Sequence, residues 1–334
     1  MDQPNDKLPT NQSTTNIPHT DSPPKTGQFK ESDFLQFRMP TWEEDISLNH
    51  NSVAPFKNHP APSEMPLQAF AHYRNISQLT DELLDGTPVE DFVGRDHYPI
   101  PADTDREGYN ANHNAVYFLN GLADHLKLMK FVHQHGCTVE NYFDFGCASG
   151  RVLRHFCTQG AIANLWGSDI NGRHIKWLND FLPAQLKPIH NHCLPHLPIA
   201  DNSLDLISAF SVFTHIDIFE TAWLAELHRI LRPGGMVYLT VQNDASWQLL
   251  RESPDDHPLN AMVLKRQPNF RKILEADLPD HRVDFRRTDL GPYRALVFHS
   301  NRYLQRTWGR YFDIIDILPL SHGIHQSVFL GTKR

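Results

Sequence analysis

One short turn constrains this chain more than any other feature. Residues 144–150 read Asp-Phe-Gly-Cys-Ala-Ser-Gly, after an apolar run at 139–143 and directly before an amphipathic stretch at 151–158. That pattern predicts a strand, a tight glycine turn and a helix. Glycines at such a turn remove the side chains that would keep a ligand's polar groups away from the N–H groups opening the helix. Nineteen residues beyond Gly150, Asp169 follows a second apolar run at 162–166. An acid at that place can accept hydrogen bonds from both hydroxyls of a ribose. Together the two features predict a site for a nucleoside-containing cofactor.

The alternation continues along the chain. Strands are expected at 139–145, 162–168, 188–193, 204–210 and 236–242, with helices at 151–158, 172–181 and 217–231. Leu122, Leu126 and Met129 recur at helical spacing ahead of them, and that helix stops at Gly136. Leu224, Leu227 and Ile230 mark the buried stripe of the helix that Pro233-Gly234-Gly235 ends. Strands alternating with helices give an α/β fold with a Rossmann-like, doubly wound, mostly parallel sheet. Residues 243–292 read as polar and irregular, with one helix near 269–275. Strands return at 293–299, 311–318 and 326–331, and the last two predict a C-terminal antiparallel hairpin.

The N-terminal third reads differently. Residues 1–33 are rich in Pro, Asn, Ser, Thr and charge, too poor in apolar side chains to offset chain entropy, and are expected to be a disordered tail. Residues 34–105 scatter aromatics (Phe34, Phe37, Trp42, Phe56, Phe70, Tyr73, Phe92) among prolines and predict an irregular arm before a main domain at 106–334. A formal charge of −8 argues against a nucleic-acid partner. No apolar run approaches the ~18 residues of a membrane span. The N-terminus lacks the basic-then-apolar order of a secretory signal, and four cysteines make no disulfide framework, so a reduced, cytoplasmic protein is expected.

Four separated blocks carry a family resemblance: Asp144 to Gly150, Gly167-Ser168-Asp169-Ile170, Leu197-Pro198 through Asp205-Leu206-Ile207, and Leu231-Arg232-Pro233-Gly234-Gly235. In that order and spacing the chain resembles the class I S-adenosylmethionine-dependent methyltransferases, densely over 115–245 and loosely to 334. Asn191 to Pro198, Ser211-Val212-Phe213-Thr214-His215, Trp223 to Leu227 and the terminal Gln326 to Leu330 look like a bacterial subgroup placed in glycan or natural-product pathways. That subgroup commonly has an acid where this chain has Ser327.

The resemblance implies S-adenosyl-L-methionine as cofactor and assigns residues to it. Asp144, with the backbone around Phe145, Gly146, Cys147, Ala148 and Gly150, is expected to hold the amino-acid end. Ala148 stands where many members have glycine. Asp169 should bind the ribose hydroxyls and Ile170 should pack on the adenine. Cys193 replaces an acid that many members place there, leaving backbone from His192 to Leu194 for the adenine. Phe210 and Ser211 should lie near the sulfonium methyl.

His215, a few residues beyond the fourth strand, is the candidate catalytic base, because a neutral imidazole can take a proton from a hydroxyl as a methyl arrives. The plainer reading of His215 is a residue at a helix N-terminus. His190, His192, Cys193 and His196, and likewise His133, His135 and Cys137, cluster without the ligand spacing of a zinc site, so no metal is expected. Eight Arg or Lys against three Asp in 285–334 could face an anionic acceptor, but such charge more often forms a solvated face. Arg151 and Arg154 read as surface residues or partners of local carboxylates, and Arg106 with Tyr109 as a segment that closes over the cofactor.

A dinucleotide-binding dehydrogenase would need G-x-G-x-x-G, whereas Gly146 and Gly150 are four apart with no third glycine. The expected function is methyl transfer to a hydroxyl of a sugar or small metabolite, so the partner is a small-molecule or glycan acceptor. The alternatives are a non-catalytic cofactor-binding or regulatory protein on the same fold, and a protein methyltransferase.

Overall fold

The computed structural model describes residues 70, 73–109, 113–160, 162–285, 293 and 295–334. The expected tail at 1–33, most of the arm's aromatics, and Arg286, Arg287, Asp289 and Arg294 of the basic stretch lie outside the described residues.

Seven strands form the central sheet: β1 (Asn141–Phe145), β2 (Asn164–Asp169), β3 (Leu186–His190), β4 (Leu204–Ala209), β5 (Leu231–Val241), β8 (Asp313–His322) and β9 (Gln326–Thr332). Their spatial order is β3-β2-β1-β4-β5-β9-β8. The first five pair in parallel, whereas β5–β9 and β9–β8 pair antiparallel, so the sheet is mostly parallel and ends in the expected hairpin. Every residue of β4 is buried, as a strand covered on both faces should be. The strand order reverses between β1 and β4, and in such sheets a crevice opens there, beyond the carboxyl ends of the strands.

Helices cover both faces. Those described before β5 are, in chain order, α1 (Asp81–Leu84), α2 (Val89–Gly94), α3 (Asn114–Gln134), α4 (Leu153–Thr158), α5 (Gly172–Phe181) and α6 (Glu220–Ile230). α5 begins where expected because the Asn171 side chain accepts from Arg173 N and caps it. α3 is buried almost all round through its first half, because α1 and α2 cover the side turned away from the sheet. Leu84, Val89, Phe92 and Val93 pack there with Phe118, Leu119 and Leu122, so this part of the arm is a helical layer with its own apolar contacts. No helix among the described residues is long and apolar enough to cross a membrane.

The segment after β5 corrects the sequence reading. Where an irregular stretch with one helix was expected, α7 (Asp244–Glu252), α8 (Pro258–Arg266) and α9 (Phe270–Ile273) precede a two-stranded ribbon, β6 (Arg282–Phe285) with β7 (Leu296–His299). Trp247, Leu250, Leu259, Val263, Phe270, Phe285 and Phe298 give this lid an apolar core of its own. His299 N donates to Gln242 O at 2.8 Å and Val297 N to Thr214 O at 2.9 Å, docking the ribbon on the carboxyl ends of β4 and β5. A last helix, α10 (Asn301–Thr307), leads into β8.

Candidate active site

A cleft of about 650 Å³ opens at the strand-order reversal, bounded by the glycine turn, the segment 107–109, the lid and the β8–β9 turn. Of the residues assigned from sequence, Phe145, Gly146, Ala148, Asp169, Ile170, Phe210, Ser211 and His215 line it. Asp144, Cys147, Gly150, Cys193 and Leu194 lie off its wall.

The glycine turn is built by backbone conformation. Gly146 has φ +71° and a Cβ there would overlap the Val212 side chain, while Gly150 has φ +80° and a Cβ would meet Leu178 Cδ2 at 2.7 Å. Ala148 also adopts a left-handed φ, +46°, which accounts for glycine being common at this position. Gly146 N and Cys147 N both donate to Ser168 O, at 2.8 and 2.9 Å, and Ala148 N donates to Asp169 Oδ2 at 2.8 Å. The turn's first N–H groups are therefore committed to holding the end of β2 in place.

Asp169 is buried and accepts from Ala148 N and, through Oδ1, from Asn171 N at 2.7 Å. A carboxylate offers about four acceptor sites, so both oxygens keep capacity for two hydroxyls. Asp144 lies beneath the turn, where its Oδ1 accepts from Ser208 Oγ at 2.7 Å, and burial pushes its carboxyl up to about 7. Asn191, just past β3, donates from Nδ2 to His192 O at 2.9 Å; its buried Oδ1 accepts no hydrogen bond among the described residues. Cys193 is fully buried and its carbonyl accepts from Tyr293 OH, which commits that backbone to the lid.

Of the two readings of Arg151 and Arg154, the structure sets aside surface side chains and keeps partners of carboxylates, though of carboxylates distant in sequence. Arg151 is buried and donates to Asp124 at 2.6 Å; Arg154 is buried and makes a two-pronged pair with Asp96 at 2.8 Å. Both partners lie earlier in the chain, on α3 and on the helical layer, where local sequence could not disclose them. Arg106 is likewise buried, donating to Pro101 O at 2.7 Å, and does not line the cleft.

Tyr109 does line it. Tyr109 OH donates to Ser211 Oγ at 2.6 Å, and its ring lies 4.5 Å from the Arg151 guanidinium. Ser211 carries a strained φ of +59° at the end of β4, and its Oγ also pairs with the Gln326 amide at 2.9 Å. Beyond it, His215 Nδ1 is 2.8 Å from Ala295 O. A carbonyl only accepts, so Nδ1 carries the proton and the basic nitrogen of the neutral ring is Nε2. Sequence reasoning placed Asn191 in a resemblance block without giving it a role, and did not name Gln242 or His174. Gln242 carried a signal, as the first polar residue after the apolar run of β5. Among the described residues no three His, Cys, Asp or Glu are grouped to hold a metal.

Residues 143–239 match the family model described as a methyltransferase domain. They form a class I S-adenosylmethionine-dependent methyltransferase domain. Its cofactor is S-adenosylmethionine, and the site fits it: Asp169 has the acceptor capacity for a ribose, and Asn191 Oδ1 is an acceptor that the adenine amino group would satisfy. A malonyl-[acyl-carrier protein] O-methyltransferase from Dechloromonas aromatica is 36% identical to the chain over 123 residues. That match spans 34% of this chain and only 42% of the relative's length. Among solved structures, the chain is similar to a 1,6-didemethyltoxoflavin-N1-methyltransferase from Burkholderia thailandensis (15% identity, TM-score 0.43, 82% of this chain and 94% of that one). It is also similar to an S-adenosylmethionine-dependent methyltransferase from Clostridium acetobutylicum (12% identity, TM-score 0.41, 62% and 89%).

Proposed function

We propose that the protein transfers a methyl group from S-adenosylmethionine to a hydroxyl of a sugar or small metabolite held between Ser211 and the lid. When bound, the cofactor supplies a methyl on a sulfonium, whose sulfur keeps the bonding electron pair as a neutral thioether. Asp169 and Asn191 would hold the nucleoside, with Ile170 against the adenine and Asp144 beneath the amino-acid end. The chain's remaining work is to position the acceptor and remove its proton. The lid and the segment 107–109 bound the site, and holding reactants in line can supply up to ~7–11 kcal/mol.

The observation that carries this reading is His215. Its ring is anchored through Nδ1 on a lid carbonyl, and its residue lines the same cleft as Asp169 and Ser211. Nε2 is thereby the proton acceptor for an attacking hydroxyl. The O-methyltransferase name of the Dechloromonas relative agrees with an oxygen acceptor.

Calorimetric titration with S-adenosylmethionine tests the cofactor half; binding is expected, with no competition from a nicotinamide dinucleotide. Silence at millimolar cofactor would favour a non-catalytic protein. Transfer of labelled methyl groups to a small-molecule extract tests the base. His215→Ala should lower labelling by roughly 10²-fold or more while leaving cofactor affinity within about two-fold. Undiminished labelling would remove His215 from the mechanism.

A further inference from the structure

The acceptor half of the cleft is walled by apolar side chains from three separate elements. Ile216 follows β4, Trp223 stands on α6, and Leu259 and Leu296 belong to the lid core; all four are at most 3% exposed. At the mouth, Met262 on α8 and Ile324 in the β8–β9 turn line the same cleft yet stand 38% and 58% exposed. The carboxylates lining the cleft among the described residues, Glu107 and Asp169, lie at the opposite, ribose end, whereas His215, His322 and His325 line it toward the β8–β9 turn.

Polar groups interrupt this wall. His325, beside Ile324, has a buried Nδ1 that makes no hydrogen bond among the described residues, and Gln242 holds a second such group. Gln242, 1% exposed at the end of β5, lines the cleft, and its buried Oε1 accepts no hydrogen bond among the described residues. An unsatisfied buried carbonyl is costly, and an O–H or N–H on a bound molecule would relieve it. A hexose presents polar groups all round and would meet the apolar wall with most of them unpaired. A flat apolar body with few polar groups matches it.

The base sets the acidity of the hydroxyl. An unperturbed imidazole has a pKa of ~6.5 and a phenol ~10, a gap of about 3.5. An aliphatic hydroxyl lies near water, ~15.7, a gap of about 9. Proton transfer to a neutral imidazole is thus less uphill from an aromatic hydroxyl than from an aliphatic one.

Resting on the methyl-transfer reading above, we infer that the acceptor is an uncharged aromatic alcohol, with a further hydrogen-bond donor that meets Gln242. The phenolic proton goes to His215 Nε2 as the oxygen takes the methyl from sulfur. The apolar ring lies against Trp223, Leu259 and Leu296, and a substituent reaches out past Met262 and Ile324.

The test uses the full chain saturated with S-adenosylhomocysteine and follows the fluorescence of dihydroxynaphthalene, with methyl glucoside as competitor. Saturable naphthalene-diol binding that the glucoside does not displace is expected, and Gln242→Leu and Met262→Lys should each weaken it ten-fold or more. The second variant changes an exposed position, so it reports even if the first does not fold. With S-adenosylmethionine, the aryl methyl ether should form and should be lost in His215→Ala. Three outcomes overturn the inference: no diol binding up to its solubility, displacement by the glucoside, or affinity unchanged in the folded variants. Failure to bind S-adenosylhomocysteine would instead overturn the methyltransferase reading.

Discussion

His174 supports the ribose acid from behind. It is fully buried on the first turn of α5, with Nδ1 3.6 Å from Asp169 Oδ1 and Nε2 3.6 Å from Glu107 Oε1. Burial, the largest effect, opposes its charge; the negative field of Asp169, with Glu107 and Asp105, outweighs it and raises the pKa above the usual imidazole value. A raised histidine contributes stability that is complete below about pH 6.5 and is lost as pH rises through the folded value. Thermal melts from about pH 6 to about pH 9 should therefore show a decline in the wild type that His174→Gln lacks. Matching slopes would mean that the ring is neutral. Asp169 was legible because its meaning lies in one local pattern, an acid closing a strand at a fixed distance from a glycine turn. His174 was not, because its partner Glu107 is brought to it only by the segment 107–109, far off in sequence.

At the scale of elements, the lid is tied down through one carboxylate. Glu220, at the first position of α6, is buried and accepts from Trp308 Nε1 at 2.6 Å, Arg282 Nη1 at 2.9 Å, His299 Nε2 at 3.2 Å and Tyr303 OH at 3.2 Å. Burial alone would raise its pKa, yet His299, Trp308 and Arg282 together hold it at about 2. A depressed acid contributes stability present above the unfolded value and lost as pH falls through the folded one, here from 4.5 toward 2. Glu220→Gln breaks a buried pair and should cost about 3–5 kcal/mol in chemical denaturation. The variant should also lose the acid-side slope, and a cost below about 1 kcal/mol would show that lid and α6 dock without it. The lid escaped the sequence reading because its helices are short and polar outside. Its signals were present: Asn243 caps α7 in a capping box with Ser246, and Pro258 opens α8.

At the scale of the molecule, the parallel strands were legible because each is a short apolar run ended by a turn, a pattern that a doubly covered sheet imposes. What joins the sheet to its surroundings was not, since it is carried by charges far apart in sequence. Asp124 on α3 meets Arg151 at 2.6 Å and His322, at the end of β8, at 3.2 Å. One buried carboxylate thus links the layer under the arm, the glycine turn and the β8–β9 turn that lines the cleft. Burial opposes its ionisation, but His322 and Arg151 hold its pKa well below the usual range. Asp124→Ala strands a buried guanidinium and should cost about 3–5 kcal/mol, or roughly 6–20 °C in melting temperature at ~2–4 °C per kcal/mol. Adding Arg151→Met removes the stranded charge, so the double variant should melt above Asp124→Ala despite carrying one more substitution. If the losses simply add, the two residues stabilise the fold independently. If they couple, His322 feels the break as well, and cofactor affinity should fall in Asp124→Ala further than the melting temperature alone explains.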